Sequence, residues 1–552
     1  MSKRLVGLMI MLLMIMAACN DGKLNFKKIR FTKRNVAITP KNSFTDLFLD
    51  SMRLETFIAG QKIDSQTAQH MRSFYNSRNY QFAWFNKDGL NEPGLAFWNL
   101  YTSFISLSKD SSLFDTTLSE RMRDFTDGDT VVNTPRTEIV KTELDLTRQF
   151  FVYAKVAYAG RVDPEDLQWF IPRKKVDALA LLDSLVSKKG KIAEEEWEPV
   201  NPQYQSLKKQ LIRFNDIADK GGWSPIDLEG KHKYKQGDSN EVILQVKKRL
   251  YASGDLTQMD STDKYNAALY DAVLRSQKRF GFHEDGVIDA ALVKELNVPV
   301  KQRIEQIMIN LERMRWLPEK PAPNRIVANI PEFKIHVYEN NQEAFEMDIV
   351  VGKEGHNTVI FNDELKYIVF SPYWNVPASI VKAEIMPAMS RNPGYLASHN
   401  MEVTGHHGST PVIRQKPGAG NSLGRVKFLF PNNYNIYFHD TPAKSLFNRE
   451  KRAFSHGCMR LADAEKLAIY LLRDQPEWTQ DKIEDAMHES KEKWVTLKDP
   501  IPVFVSYFTA WVDDQGLLNF RDDIYGHDKK MAERLFVHPS STADTNSGTK
   551  KQ

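Results

Sequence analysis

The sequence predicts a multidomain α+β protein: an all-α scaffold, a small three-helix module, and a β-rich domain carrying a helical insertion. Three observations predict it. The chain has 552 residues with 41% hydrophobic and 11% aromatic content, enough for about three or four separate cores. Apolar residues recur at helical spacing through the first half, as in Leu207, Leu211, Phe214 and Ile217, the mark of helices with one buried face. From about Arg325 the period falls to two, with Phe333, Ile335 and Val337 alternating with Lys334, His336 and Tyr338, as on a strand with one buried face.

The N-terminus reads as an export signal over residues 1–18. Lys3 and Arg4 precede an apolar run from Leu5 to Ala18, which is short for a bilayer span but suits a signal h-region. Met16-Ala17-Ala18-Cys19 resembles a bacterial lipobox, which implies cleavage before Cys19 and lipidation of its thiol. The alternative is a short anchor helix with an incidental cysteine. Residues 19–43 are polar and basic, with Lys23, Lys27, Lys28, Arg30, Lys33 and Arg34, and are expected to be a tether reaching roughly 70 to 80 Å when extended. The expected location is the periplasmic cell envelope, with the chain lipid-anchored to a membrane.

A formal net charge of +4, from 75 basic and 71 acidic residues, gives no case for a nucleic-acid partner. The chain has two cysteines. With Cys19 assigned to lipid, Cys458 is left as a lone thiol in an exported chain, where it is either buried or used.

Residues 44–235 are expected to form the helical scaffold. Its aromatics Phe74, Tyr75, Tyr80, Phe82 and Trp84 either line a sugar groove or, the better reading, pack a core. Residues 236–298 form a compact helical unit, with Val242, Val246 and Leu250 on one stripe and Leu269, Val273 and Leu274 on another. The loop Phe282-His283-Glu284-Asp285-Gly286-Val287-Ile288-Asp289 ahead of its last helix resembles that of the three-helix peptidoglycan-binding module. A connecting helix is expected within 299–324, the catalytic domain over 325–508, and a C-terminal extension ending in a disordered Ser/Thr/Gly/Lys tail over 509–552.

Two segments of the β-rich region carry chemistry. In Tyr434-Asn435-Ile436-Tyr437-Phe438-His439-Asp440, strand alternation places Asn435, Tyr437 and His439 on one face. Ser455-His456-Gly457-Cys458-Met459-Arg460 follows, then an apolar helical stripe of Leu461, Ala464, Leu467, Ala468, Leu471 and Leu472. Cys458 is therefore expected on a loop just ahead of a helix N-terminus. A free thiol near pKa 8.5 is a few per cent thiolate at neutral pH; an imidazolium and a helix dipole lower it to roughly 3.5 to 7.5. Gly457 lets backbone approach a ligand, and amides around Gly457 and Cys458 are expected to face a developing oxyanion. Arg460 and His456 add positive charge. Singly, a lone Cys or His is more often structural; together with the preceding glycine they point to a cysteine acyltransferase.

The block Ile436 to Arg460, IYFHDTPAKSLFNREKRAFSHGCMR, resembles the L,D-transpeptidase signature: a His, an intervening stretch, then S-H-G-C, a hydrophobic residue and Arg. Trp374-Asn375-Val376-Pro377 and Pro417-Gly418-Ala419-Gly420-Asn421-Ser422-Leu423-Gly424 resemble that family too. The resemblance implies Cys458 as nucleophile and His439 as base. Gly457, His456, Ser455, Arg460 and Tyr437 take the oxyanion and substrate-binding positions. It implies a main-chain carbonyl at Asp440 orienting His439, and a lid over residues 378–424. It also implies donor and acceptor peptidoglycan stem peptides as partners beside the membrane and other cell-wall synthesis proteins, no cofactor and no metal, a thioester intermediate, and 3-3 cross-links. Three alternatives stand beside it: a zinc hydrolase recruiting His406, His407, His439, His456 and Cys458; a cysteine carboxypeptidase or endopeptidase acting on stem peptides; and a non-catalytic peptidoglycan-binding lipoprotein.

Overall fold

The computed structural model describes residues 32–108, 113–126, 134–171, 174–191, 198–228 and 233–536. The signal segment with Cys19, the start of the tether and the Ser/Thr tail lie outside the described residues. The chain divides into two compact units, Met1–Val156 with Val176–Trp197, and Ala157–Lys175 with Glu198–Gln552.

The first unit is built on helices α1 (Ser51–Gly60), α2 (Ser65–Ser77), α3 (Glu92–Ser108), α4 (Thr116–Thr126), α5 (Arg136–Ala159) and α6 (Ala178–Ser187). Asp50 and Asp64 start α1 and α2 by accepting hydrogen bonds from main-chain N–H groups of the first turn, which supplies donors that a helix start otherwise leaves unpaired. One short antiparallel pair, β1 (Phe85–Asn86) and β2 (Gly89–Leu90), interrupts the helices. Phe74, Tyr75, Phe82 and Trp84 are fully buried, so these aromatics pack a core and line no groove. Below them Glu143 is buried on α5. It accepts from the Tyr75 hydroxyl at 2.9 Å and from the N–H groups of Ala83 (2.7 Å) and Trp84 (3.0 Å).

In the second unit α7 (Pro202–Asp219) packs on α11 (Val300–Trp316). Between them in sequence lies the compact module of α8 (Glu241–Ser253), α9 (Ala267–Phe280) and α10 (Ala290–Leu296), with β3 (Lys233–Tyr234) paired to β4 (Ile288–Asp289). Val242, Val246, Leu250, Leu269 and Val273 are buried as the helical spacing requires, and Leu274 is half-buried. The loop ahead of α10 turns at Gly286, whose carbonyl accepts from Tyr265 at 2.7 Å, and Asp289 caps α10 through the Leu292 N–H.

The β-rich region is a nine-stranded sheet. Its strands are β5 (Arg325–Asn329), β6 (Lys334–Glu339), β7 (Gln342–Gly352), β8 (Phe361–Phe370), β12 (Val426–Leu429), β13 (Phe438–His439), β14 (Ala453–Ser455), β15 (Met459–Leu461) and β16 (Lys493–Ser506). They follow the order β14-β7-β15-β13-β12-β8-β16-β5-β6, and β6 pairs back onto β7. The strands from β7 through β15 to β6 therefore close into a ring, with β14 attached to β7 outside it, and closure fixes register around the ring. Its interior is filled by Ile326, Ile335, Val337, Ile349, Val351, Ile368, Phe428, Phe438 and Met459, continuous with α12 (Ala464–Leu472) and α13 (Gln480–Met487). A last pair, β17 (Ala510–Val512) with β18 (Leu518–Phe520), precedes α14 (His527–Leu535).

Between β8 and β12 the chain leaves the sheet as an insertion. A run of helix from Ala378 to Arg391 contains a π-helical turn, Val381–Ile385. Beside it β9 (Trp374–Asn375), β10 (Met401–His407) and β11 (Thr410–Gln415) make a three-stranded sheet. The expected helical lid thus carries strands as well. The insertion has its own small core of Val376, Val381, Ile385 and Ile413. No helix among the described residues is long and apolar enough to cross a membrane.

Candidate active site

β13 and β15 run parallel, with Phe438 opposite Met459 and His439 opposite Arg460. Parallel neighbours need a crossover of a dozen or more residues, which accounts for the interval between His439 and Cys458. That crossover contains a helical turn at Lys444–Asn448 and strand β14. Cys458 stands immediately before β15, one position from the residue opposite Phe438, so the thiol and the imidazole stem from neighbouring segments of the sheet.

Two expectations change here. Cys458 precedes a strand, and the helix α12 begins only at Ala464 with Asp463 as its cap. A helix dipole fades within its first turn, so it does not activate this thiol. The second concerns the thiol's resting state. The half-buried Cys458 is pushed up to about 11 by its surroundings, against opposing pulls from the N–H and hydroxyl of Tyr437 and from the Arg460 charge. It rests as a thiol, donating to the Asn435 carbonyl at 3.4 Å. Asn435 reaches that position in a left-handed conformation, φ 56°, which asparagine tolerates better than most residues.

His439 is buried and held down to about 4, first by burial and then by the Arg460 charge. It is a neutral imidazole, and no imidazolium lowers the thiol in this resting state. Its Nδ1 lies 2.5 Å from the Asp440 main-chain carbonyl, so Nδ1 carries the proton and Nε2 is the basic nitrogen. The Leu423 carbonyl lies against the same ring. Leu423 is held by the 417–424 loop, where the Asn421 side chain donates to the Pro372 and Lys416 carbonyls at 3.0 Å each. Gly424 in that loop has φ +64° and leaves no room for a Cβ against the Asp440 carboxylate.

Tyr437 shares the His439 face, with ring centroids 5.8 Å apart, and its hydroxyl is driven up by burial and by the Cys458 sulfur. Ser455 pins the Cys458 loop from within. Its hydroxyl donates to the Cys458 carbonyl at 2.5 Å and accepts from the Gly457 N–H at 3.1 Å. The Gly457 amide is thus spent on Ser455 and is not aimed at a substrate. Gly457 has φ +115°, a conformation L side chains rarely adopt, and its carbonyl accepts from Thr358 at 2.8 Å. Arg460 Nε is buried with no hydrogen-bond partner, and its charge acts on both Cys458 and His439. His456 points elsewhere, to Glu384 of the insertion at 3.1 Å. Sequence reading missed Asn435 as the thiol's acceptor, Thr358 and Glu384. Asn435 lay in the quoted block, while the other two carried no local signal.

Among the described residues, the metal-competent grouping is His336, Glu343 and Glu346; the five residues of the zinc alternative are not in it. His336 is pushed up to about 10 by Glu332 and Glu343, which outweigh its burial. A metal there would have to displace that proton.

The closed sheet thus brings Cys458 and a neutral His439 onto neighbouring segments of chain, with the Arg460 charge acting on both. Residues 323–503 match the L,D-transpeptidase catalytic domain, YkuD, and residues 69–211 match a Scaffold domain. Over these two segments the chain carries an L,D-transpeptidase catalytic domain and a Scaffold domain. It is 31% identical over 253 residues to a Haemophilus influenzae protein described as a candidate L,D-transpeptidase, a match covering 43% of this chain and 50% of that protein. The chain thus matches about half the length of that curated relative. Among solved structures it is similar to an L,D-transpeptidase from Mycobacterium smegmatis, at 15% identity over 34% of this chain and 59% of that one, TM-score 0.19. One from Stackebrandtia nassauensis is 12% identical over 51% and 96% respectively, TM-score 0.22.

Proposed function

We propose that the chain is a peptidoglycan L,D-transpeptidase that forms 3-3 cross-links through a Cys458 thioester. The observation that carries the reading is the neutral His439, its Nδ1 proton committed to Asp440, on the strand beside the Cys458 thiol. A neutral imidazole next to an un-ionised thiol favours general-base attack over a resting ion pair. Cys458 attacks the third-residue carbonyl of a donor tetrapeptide as its proton passes to His439. The C–N bond to the terminal D-alanine then breaks, and His439 returns the proton to the leaving amine. The side-chain amine of a diamino acid on the acceptor stem attacks the thioester, forming the cross-link amide. The amine attacks in its neutral form, and the proton it sheds passes through His439 to the departing sulfur.

The Arg460 guanidinium, with an unpartnered buried Nε, and the Cys458 amide supply the positive environment for the tetrahedral oxyanion. Tyr437 stabilises the departing thiolate. A carboxypeptidase or endopeptidase outcome uses the same residues, with water replacing the acceptor amine.

The domain order we assign is scaffold over 44–235, peptidoglycan-binding-like module over 236–298 and catalytic domain over 325–508, on a Cys19 lipid anchor in the periplasm. Muropeptide analysis of cells with and without Cys458 tests the activity: 3-3 cross-linked dimers are expected to require the thiol, and tripeptides accumulating in place of dimers would favour the peptidase. Cys19→Ala is expected to leave unprocessed precursor; unchanged processing and acyl labelling would remove the lipid anchor from the account.

A further inference from the structure

The nucleophile loop is gripped from two sides. On one side lies the loop after β7: the Lys353 N–H donates to the Ser455 carbonyl at 2.9 Å, and Thr358 donates to the Gly457 carbonyl. That grip belongs to the sheet. On the other side stands the insertion, whose core of Val376, Val381, Ile385 and Ile413 is packed apart from the core of the closed sheet. Glu384 leaves the insertion at its π-helical turn and meets His456 Nε2 at 3.1 Å. π turns cost helix geometry and often occur where a side chain must be re-aimed at a site.

We propose that Glu384 is a positioning residue: through His456 it fastens the insertion to the nucleophile loop, closing one wall of the cleft over Cys458 and fixing the imidazole two residues from the thiol. The inference rests on Cys458 being the nucleophile. The groups facing His456 are Glu384 from the insertion, and Lys353 and His356 from the loop after β7, the His356 ring lying 5.0 Å away. Lys353 and His356 repel a protonated His456, and Glu384 is the partner that opposes them. Burial, with Lys353 and His356, holds His456 below its ordinary value against the pull of Glu384; a charge-assisted bond of this kind tightens as the imidazole protonates, so the fastening strengthens as pH falls below neutrality.

Glu384 is more than half exposed, with side-chain accessibility of 55%, so its substitution leaves the core untouched. The test compares full-length wild type, Glu384→Ala and Glu384→Gln in two assays. One is D-alanine release from a disaccharide tetrapeptide; the other is alkylation of Cys458 by iodoacetamide, a reagent too small to need a closed wall. Glu384→Ala is expected to lose about ten- to a hundredfold in kcat/KM, chiefly through KM, with alkylation unchanged or faster. Glu384→Gln keeps an acceptor oxygen but not the charge, and is expected to recover much of the loss at neutral pH and less below pH 6. Glu384→Ala with wild-type kcat/KM overturns the role of Glu384, as does a parallel loss of turnover and alkylation. A wild-type chain that alkylates at Cys458 yet releases no D-alanine contradicts the transpeptidase reading instead.

Discussion

His439 donates its Nδ1 proton to the main-chain carbonyl of Asp440 at 2.5 Å, while the Asp440 carboxylate turns away to Lys444 Nζ at 2.7 Å and the Arg425 N–H at 2.9 Å. The His439 imidazole is therefore oriented by backbone, and the carboxylate beside it is held by Lys444 and the Arg425 N–H. Asp440→Asn is expected to keep D-alanine release within a few-fold of wild type, whereas His439→Ala is expected to lose about 10² to 10⁴ in rate. Steady-state kinetics of the two variants separate these outcomes; a comparable loss in both would return the carboxylate to the catalytic machinery.

Because burial raises the Cys458 thiol to about 11 and His439 is held at about 4, the free protein has little thiolate at neutral pH. Alkylation by iodoacetamide is expected to climb steadily from pH 7 to pH 10 without levelling. A plateau already reached by pH 7 would mean a resting thiolate–imidazolium pair and a different first step.

Tyr437 favours the ionised sulfur through both its N–H and its hydroxyl. Tyr437→Phe removes the hydroxyl and keeps the N–H, so the alkylation profile should move further toward alkaline pH. The loss of one hydrogen bond to a charged group is worth about 1.5 to 3 kcal/mol, an upper bound on the effect at this half-buried sulfur. A profile moved toward acid would show that the hydroxyl acts on the neutral thiol instead.

The His336–Glu332 pair, at 3.1 Å between β6 and the turn preceding it, makes stability depend on pH at both extremes. Burial alone would lower His336, but Glu332 and Glu343 carry it to about 10, while His336 draws the buried Glu332 down to about 2. A raised histidine contributes stability fully present below its unfolded value near 6.5 and lost as pH rises through about 10. The lowered glutamate contributes above about 4.5 and is lost as pH falls toward 2. His336→Ala removes the cation hydrogen-bonded to the buried Glu332, leaving it Asn329 and the Arg521 charge, and is expected to cost up to about 3 to 5 kcal/mol. Denaturant unfolding across pH checks both slopes, and a flat alkaline limb in wild type would refute the pair's contribution.

Much of this site was legible because strand alternation and a dense local signature fall within one stretch of chain. Tyr437 and His439 share a face as period two requires, and the hairpin of β6 and β7 follows from alternation around Asn340-Asn341. Closure of the sheet was not legible, since it depends on β6 returning to β7 at one end of a long strand order. The misplaced helix start came from reading Leu461 as the first residue of the apolar stripe. Leu461 is buried on β15 against Ile349, and the helical period starts after Asp463. The thiol's protonation state depends on its burial and on Tyr437 and Arg460 acting on it together, and no spacing in the sequence reports that.

The most direct test is intact-mass spectrometry of the full-length protein mixed with a disaccharide tetrapeptide and no acceptor. Wild type is expected to gain the mass of the donor less its terminal D-alanine, on Cys458 and labile to hydroxylamine as a thioester is, and Cys458→Ala is expected to gain nothing. A donor adduct that persists in Cys458→Ala, or D-alanine released by that variant at the wild-type rate, would contradict the account.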